Sequence, residues 1–329
     1  RQAGRYLPEY LATRAKAGDF LTLAGTPELA CEVTLQPIRR YGFDASILFS
    51  DILILPHVMG LELSFTPGEG PKFTHTIDHV SDIRKLPRPD PNVETRAVMQ
   101  AVSLIRQELP GETPLIGFAG SPWTVATYMI EGGSSKDFAK ARRLLLEQPE
   151  AADQLMHHLA ETTADYLLAQ VEAGADALML FDSWGGVLTP DQYVRFSLAG
   201  LRHIVERVQA GQPSVPIILF AKGCSTHLEA LADTGCQALG VDWTSRLGDA
   251  RARVGDRVAL QGNLDPVVLT TNPAVVEQAA INVLEDYGPG PGHIFNLGHG
   301  ITPNVPPEHV QVLVETVRKH STSLQSDSN

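Results

Sequence analysis

The segment Ala177-Leu-Met-Leu-Phe-Asp-Ser-Trp-Gly-Gly186 decides the fold. Its first five residues, Ala177 to Phe181, are apolar, too short a run for a helix and the right length for a buried strand, and they stop at a charge, Asp182. Longer stretches of helical periodicity lie on either side, Glu150 to Ala173 before and Pro190 to Val208 after. A short apolar strand set between two helices is the repeating unit of a parallel sheet covered by helices.

The alternation extends in both directions. Strand-like runs at 45–50, 114–119, 216–220, 238–241, 258–260 and 293–297 bring the total to seven, with further helical stretches at 27–41, 94–109, 135–147, 226–234, 273–287 and 306–320. Several of these helices carry proline in the first turn, where its missing N–H costs nothing. Seven β/α units sit awkwardly in a closed ring, so the expected architecture is an α/β (β/α)8 TIM barrel whose first strand lies ahead of Arg1 and is truncated or missing from this chain. One barrel domain is expected over residues 1–320, followed by a polar tail, 321–329, expected to be disordered. The insertion 56–90 places Gly68-Glu69-Gly70-Pro71 between two apolar segments, which reads as a hairpin on the second βα loop.

Composition narrows the function. Of 329 residues, 43% are hydrophobic and 19% charged, which suits a chain with a sizeable buried core. The greasiest region, 45–65, is broken by Asp51, His57 and Glu62, so no membrane span is expected. A net charge of -12 without any long basic run argues against nucleic acid as a partner. Three cysteines, Cys31, Cys224 and Cys236, are too few and too odd for a secreted disulfide framework, and a reducing cytoplasm is expected.

In α/β barrels the chemistry sits just beyond the carboxyl ends of the strands. The residues there are Asp51; Gly120-Ser121 and the following Tyr128; Asp182-Ser183; Lys222-Gly223-Cys224; Asp242-Trp243; Gln261 to Asp265; and Gly298-His299-Gly300. Arg1 and Arg5 would follow the missing strand. Two arginines, a serine, a tyrosine and a histidine are all suited to carboxylates, so an anionic substrate is expected despite the acidic chain. No phosphate-binding glycine loop or nucleophile elbow is present, and Lys222 is the only lysine at a strand end.

Six segments, RQAGRYLPEY (1–10), FSDILILP (49–56), GFAGSPWTVATYMIEGG (117–133), FDSWGG (181–186), LQGNLDP (260–266) and FNLGHGI (295–301), together resemble the uroporphyrinogen decarboxylase family in order and spacing. The resemblance implies a (β/α)8 barrel and a cytoplasmic homodimer. It also implies cofactor-independent, metal-free decarboxylation of the four acetate side chains of uroporphyrinogen III, giving coproporphyrinogen III in heme biosynthesis. It assigns Asp51 as catalytic and Arg1 as a candidate proton donor. Arg1, Gln2, Ala3, Gly4, Arg5, Asp51, Tyr128, Ser183 and His299 bind substrate by the same resemblance, and Phe118 and Phe181 line the apolar part of the cleft.

The chemistry is compatible. A porphyrinogen offers carboxylates at its rim and four pyrrole N–H groups at its centre, and an ionised carboxylate such as Asp51 can accept several N–H bonds at once. Protonating a pyrrole carbon makes the ring its own electron sink, and a fixed anion then faces the charge that develops. Two alternatives are weaker. Zinc-dependent corrinoid methyltransferases, related in fold, use His-x-Cys after the fifth strand and a further Cys after the last; here Lys222 stands two before Cys224 and the last strand ends in Gly298-His299-Gly300. A non-catalytic tetrapyrrole-binding protein needs rim cations more than a central anion, and Asp51 argues against it.

Overall fold

A computed structural model of the chain describes residues 4–66 and 70–326. Among them are nine strands: β1 (Ser46–Ile47), β2 (Leu63–Thr66), β3 (Gly70–Phe73), β4 (Leu115–Gly120), β5 (Ala177–Asp182), β6 (Ile217–Ala221), β7 (Ala238–Gly240), β8 (Ala259–Leu264) and β9 (His293–Leu297). Seven form one parallel sheet in the order β1-β4-β5-β6-β7-β8-β9, and β2 and β3 form a separate antiparallel hairpin in the expected insertion. Helices between successive strands cover the sheet, the longest being Pro149–Ala173 before β5. Leu115, Leu178, Leu180, Ile217 and Leu260 are fully buried, as the two-sided cover requires.

The sheet curls. β6 and β9 stand three places apart, about 14 Å in a flat sheet at the usual spacing between strands. Yet the ring of His299, just past β9, lies 6.2 Å from that of Phe220 in β6. The architecture is thus a barrel-like α/β fold. The eighth strand expected ahead of Arg1 lies outside the described residues.

Two strands depart from their sequence boundaries. β8 runs on to Leu264, keeping register with β9 through Leu264↔Leu297, although Gly262 and Asn263 read as turn formers. Gly262 has φ +149°, and a Cβ there would stand 2.6 Å from the Val241 carbonyl oxygen, so glycine is required by close packing inside the strand. β1, expected over 45–50, pairs only at Ser46↔Leu115 and Ile47↔Ile116. Its ladder ends with Leu48 N–H donating to Ile116 O at 3.0 Å. Alternate residues of β4 face β1, so Phe118 is left with an unpaired N–H and C=O on that side. The carboxamide of Gln170 fills the gap: its Oε1 accepts from Phe118 N–H at 2.9 Å and its Nε2 donates to Phe118 O at 3.0 Å.

The helices also differ in places. The stretch 190–208, read as one helix, is Pro190–Tyr193, a wide turn over Val194–Leu198 and Ala199–Gly211. The last helix is Pro307–Ser326, and residues 327–329 of the tail lie outside the described residues. Pro8–Ala17 and Phe20–Gly25 were not foreseen; they bring Tyr10 and Phe20 onto Phe49 at ring distances of 5.9 and 5.7 Å.

Gln170→Met keeps the length of the side chain and removes both partners of Phe118. Each buried backbone group left unpaired costs about 1–3 kcal/mol, so a loss of about 2–6 kcal/mol is expected in urea unfolding. A loss under about 0.5 kcal/mol would show that Gln170 does not stand in for a strand.

Candidate active site

Asp51 follows β1 where the chain has left the sheet. Its Oδ1 accepts the Leu53 N–H at 2.8 Å, and its side chain keeps some contact with solvent. Surrounding protein dominates its ionisation: burial raises its pKa above the ordinary carboxylate value, against smaller lowering effects from the Leu53 N–H and the Arg5 charge. Arg5 is exposed, its guanidinium 5.1 Å from the Phe20 ring centroid. Gly4 is buried in a left-handed turn, φ +61°, against Pro37. Arg1, Gln2 and Ala3 lie outside the described residues, so the structure does not place these sequence-predicted site residues.

Tyr128 stands on the helix Pro122–Glu131, opened by Ser121, whose Oγ accepts the Thr124 N–H at 3.1 Å. It is half-buried; burial raises its phenol pKa, the Trp184 indole opposes that, and the Asp51 charge adds to it. Tyr128 and Asp51 are therefore electrostatic neighbours. The Trp184 N–H is buried and faces the Tyr128 hydroxyl without forming a well-directed hydrogen bond. Ser183 is half-buried at the end of β5. His299 packs edge-on to Phe220 and Trp243, at 6.2 and 6.1 Å. Phe118 and Phe181, 5.6 Å apart, continue the aromatic surface through Phe220, 6.3 Å from Phe181. The structure thus brings Asp51, Tyr128, Ser183 and His299 to one end of the curled sheet, around an aromatic floor.

Asp182, left out of the candidate set, organises this end. It is fully buried; Oδ1 accepts from Ser121 Oγ at 2.9 Å and Thr124 Oγ1 at 2.8 Å, and Oδ2 from Ser197 Oγ at 2.5 Å. Burial raises its pKa and the three hydroxyls pull it down, Ser197 most. Ser197 lies in the wide turn, whose departure from regular helix fits that contact. The sequence reading placed Trp243 at a strand end but gave none of the tryptophans a role. The chain has only three, and Trp123, Trp184 and Trp243 each follow the end of a strand by two or three residues. That placement in an aromatic-poor chain was a legible signal.

The groove on the outside of the helix layer, lined by Glu28, Asn92, Arg96, Gln100 and Glu172 among others, contains none of the strand-end residues. Among the described residues no group of three or more His, Cys, Asp or Glu side chains is arranged to hold a metal ion. Cys224 is buried, its thiol pKa pushed up by burial, with Sγ 3.5 Å from Lys222 O. No described helix is long and apolar enough to cross a membrane.

A barrel-like α/β fold whose strand carboxyl ends gather a carboxylate, aromatic rings, hydroxyls and a histidine has the arrangement of an α/β-barrel enzyme. The uroporphyrinogen decarboxylase family model matches residues 1–320, and the chain belongs to that family. Proteins named uroporphyrinogen decarboxylase from Alkalilimnicola ehrlichii and Thioalkalivibrio sulfidiphilus are 59% and 57% identical to it, over 98% and 97% of this chain and 88% and 92% of theirs. One from Escherichia coli O157:H7 is 56% identical, over 98% of this chain and 91% of its own. Among solved structures, a methyltransferase from Methanosarcina mazei has a TM-score of 0.80 at 22% identity, covering 94% of this chain and 90% of that one, a likeness of fold alone.

Asp51→Asn should stabilise the fold. A carboxyl whose folded pKa is raised contributes no penalty below its unfolded pKa near 4; the penalty grows as pH rises and is complete above the folded pKa. The variant is therefore expected to melt higher than the parent at pH 7–8, each kcal/mol relieved giving about 2 °C, with the gap closing towards pH 4. A variant that melts lower at pH 7–8 would make Asp51 a structural residue.

Proposed function

We infer that the chain removes the four acetate carboxyl groups of uroporphyrinogen III without a cofactor, yielding coproporphyrinogen III. The observation that carries this reading is Asp51, a carboxylate raised in pKa by burial and given one N–H donor among the described residues, in a chain of this family. The four inward N–H groups of a porphyrinogen are the donors such a carboxylate lacks, and their hydrogen bonds would favour its ionised form. Once ionised beneath the ring, Asp51 opposes the positive charge that appears when a pyrrole carbon is protonated and CO2 departs. The protonated pyrrole accepts the electron pair of the breaking C–C bond as CO2 leaves, giving an exocyclic methylene; a proton added to that methylene makes the methyl group, and loss of the proton first added to the ring carbon restores the aromatic pyrrole.

Arg5, Tyr128, Ser183 and His299 bind rim carboxylates in this reading, together with Arg1-Gln2-Ala3-Gly4, and Arg1 is the candidate proton donor. The zinc-methyltransferase alternative is not favoured: Lys222 occupies the position where those proteins have histidine, and Cys224 is held protonated by burial. The same reading includes a ring closed by an eighth strand between β1 and β9, one domain over 1–320, a homodimer and a cytoplasmic location; the family resemblance supports these.

Anaerobic incubation with uroporphyrinogen, without added metal or cofactor, should give products with seven to four carboxyl groups. Asp51→Asn should lower turnover by about 10²–10³, the usual effect of removing one preorganised electrostatic partner. Because the ionised form is required, activity should fall with acid through a pKa above the ordinary carboxylate range. Parent-level turnover by Asp51→Asn would refute the central-carboxylate mechanism.

Sedimentation of the folded chain at micromolar concentration should show a dimer; a fully active monomer would refute the assembly.

A further inference from the structure

The residue immediately past β6 is Lys222. Its ammonium lies 5.8 Å from the Trp184 ring centroid and 5.5 Å from that of Trp243, held between the ends of the two flanking strands. Trp184 faces Tyr128 on one side, and Trp243 touches His299 on the other. The cation therefore stands between two groups of the candidate site. Aromatic faces attract an ammonium and fix its position, but they leave its charge intact.

No carboxylate pairs with Lys222 among the described residues. The acids at the flanking strand ends are occupied: Asp182 by three hydroxyls, and Asp242 by the N–H of Gly223 and by the N–H and hydroxyl of Thr244. A half-buried cation without a counter-ion loses hydration that an incoming anion can replace.

We propose that Lys222 binds a substrate carboxylate at this clamp, and that the carboxylate is one of the four that remain after the reaction. This rests on the proposed decarboxylation. The second half follows from charge: a fixed cation beside a departing carboxylate stabilises the starting anion more than the transition state, in which that charge is passing into the ring. A cation in the cleft is compatible with turnover when it grips a group that keeps its charge. Lys222 then orients the macrocycle over Asp51 equally at every one of the four steps.

The test compares Lys222→Met, which keeps the aliphatic stem, with Lys222→Arg, which keeps the charge. Loss of one charge-assisted contact is expected to raise KM for uroporphyrinogen about 10- to 100-fold in Lys222→Met, with kcat within about threefold of the parent. The KM shift should be the same for the five-carboxylate intermediate. Fluorescence titration with coproporphyrinogen, which needs no turnover, should show Kd raised by a similar factor. Lys222→Arg should recover most of the affinity, and added salt should weaken parent binding more than that of Lys222→Met. Unchanged KM and Kd with a lower melting temperature would make the clamp purely structural and overturn the proposal. An effect confined to one decarboxylation step would overturn the assignment to a surviving carboxylate. If the folded parent itself forms no lower-carboxylate product, the decarboxylase reading fails instead; a coproporphyrinogen Kd that still depends on Lys222 would separate the two failures.

Discussion

The mouth of the sheet hangs on a carboxylate that faces no solvent. Asp182, the last residue of β5, collects hydroxyl donors from the start of the helix carrying Tyr128 and from the wide turn that leads into Ala199–Gly211. Two segments distant in sequence are thereby pinned to the strand end from which Ser183 and Trp184 emerge. A charge buried this deeply is tolerated only when hydrogen bonds replace its lost hydration, and removing one donor would leave it uncompensated. The arrangement fixes the height and tilt of Tyr128 relative to the sheet, on which its approach to Asp51 depends.

Asp51 has the opposite character. Both carboxylates are pushed towards protonation by burial, but among the described residues Asp182 is answered by three side chains and Asp51 by a single backbone N–H and a more distant guanidinium. A fold optimised for stability alone would satisfy or remove Asp51. Leaving acceptor capacity unused at a strand end is the pattern of a site that receives its donors from a ligand.

Most of the scaffold was legible because strand length and apolar continuity follow from burial on both faces. β4 to β7 and β9 fall within about a residue of the runs read from sequence. β1 and β8 were misjudged because a side chain and a tightly packed glycine override local preference, and neither Gln170 nor the nearness of Val241 to Gly262 can be seen without the tertiary structure. The same limit explains the site. Asp51, Tyr128, Ser183 and His299 stand out in the sequence by their place near strand ends and by the family resemblance, whereas the partners of Asp182 and Lys222 come from other strands and show only in the tertiary structure. The wide turn at Val194–Leu198 had no signature in helical periodicity, since one additional residue per turn leaves the apolar stripe nearly intact.

The replacement of a strand by the Gln170 carboxamide bears on how this sheet can change over evolutionary time. Where neighbouring strands pair along their full length, a residue inserted in one slips the other and turns its side chains over. Beyond Leu48 the chain owes nothing to the ladder of β4, because Phe118 is already satisfied from the helix behind it. The segment that carries Asp51 is consequently free to lengthen, shorten or bend without disturbing the register of the parallel sheet. Strand-end loop and scaffold can diversify at separate rates, with one glutamine side chain marking the boundary between them.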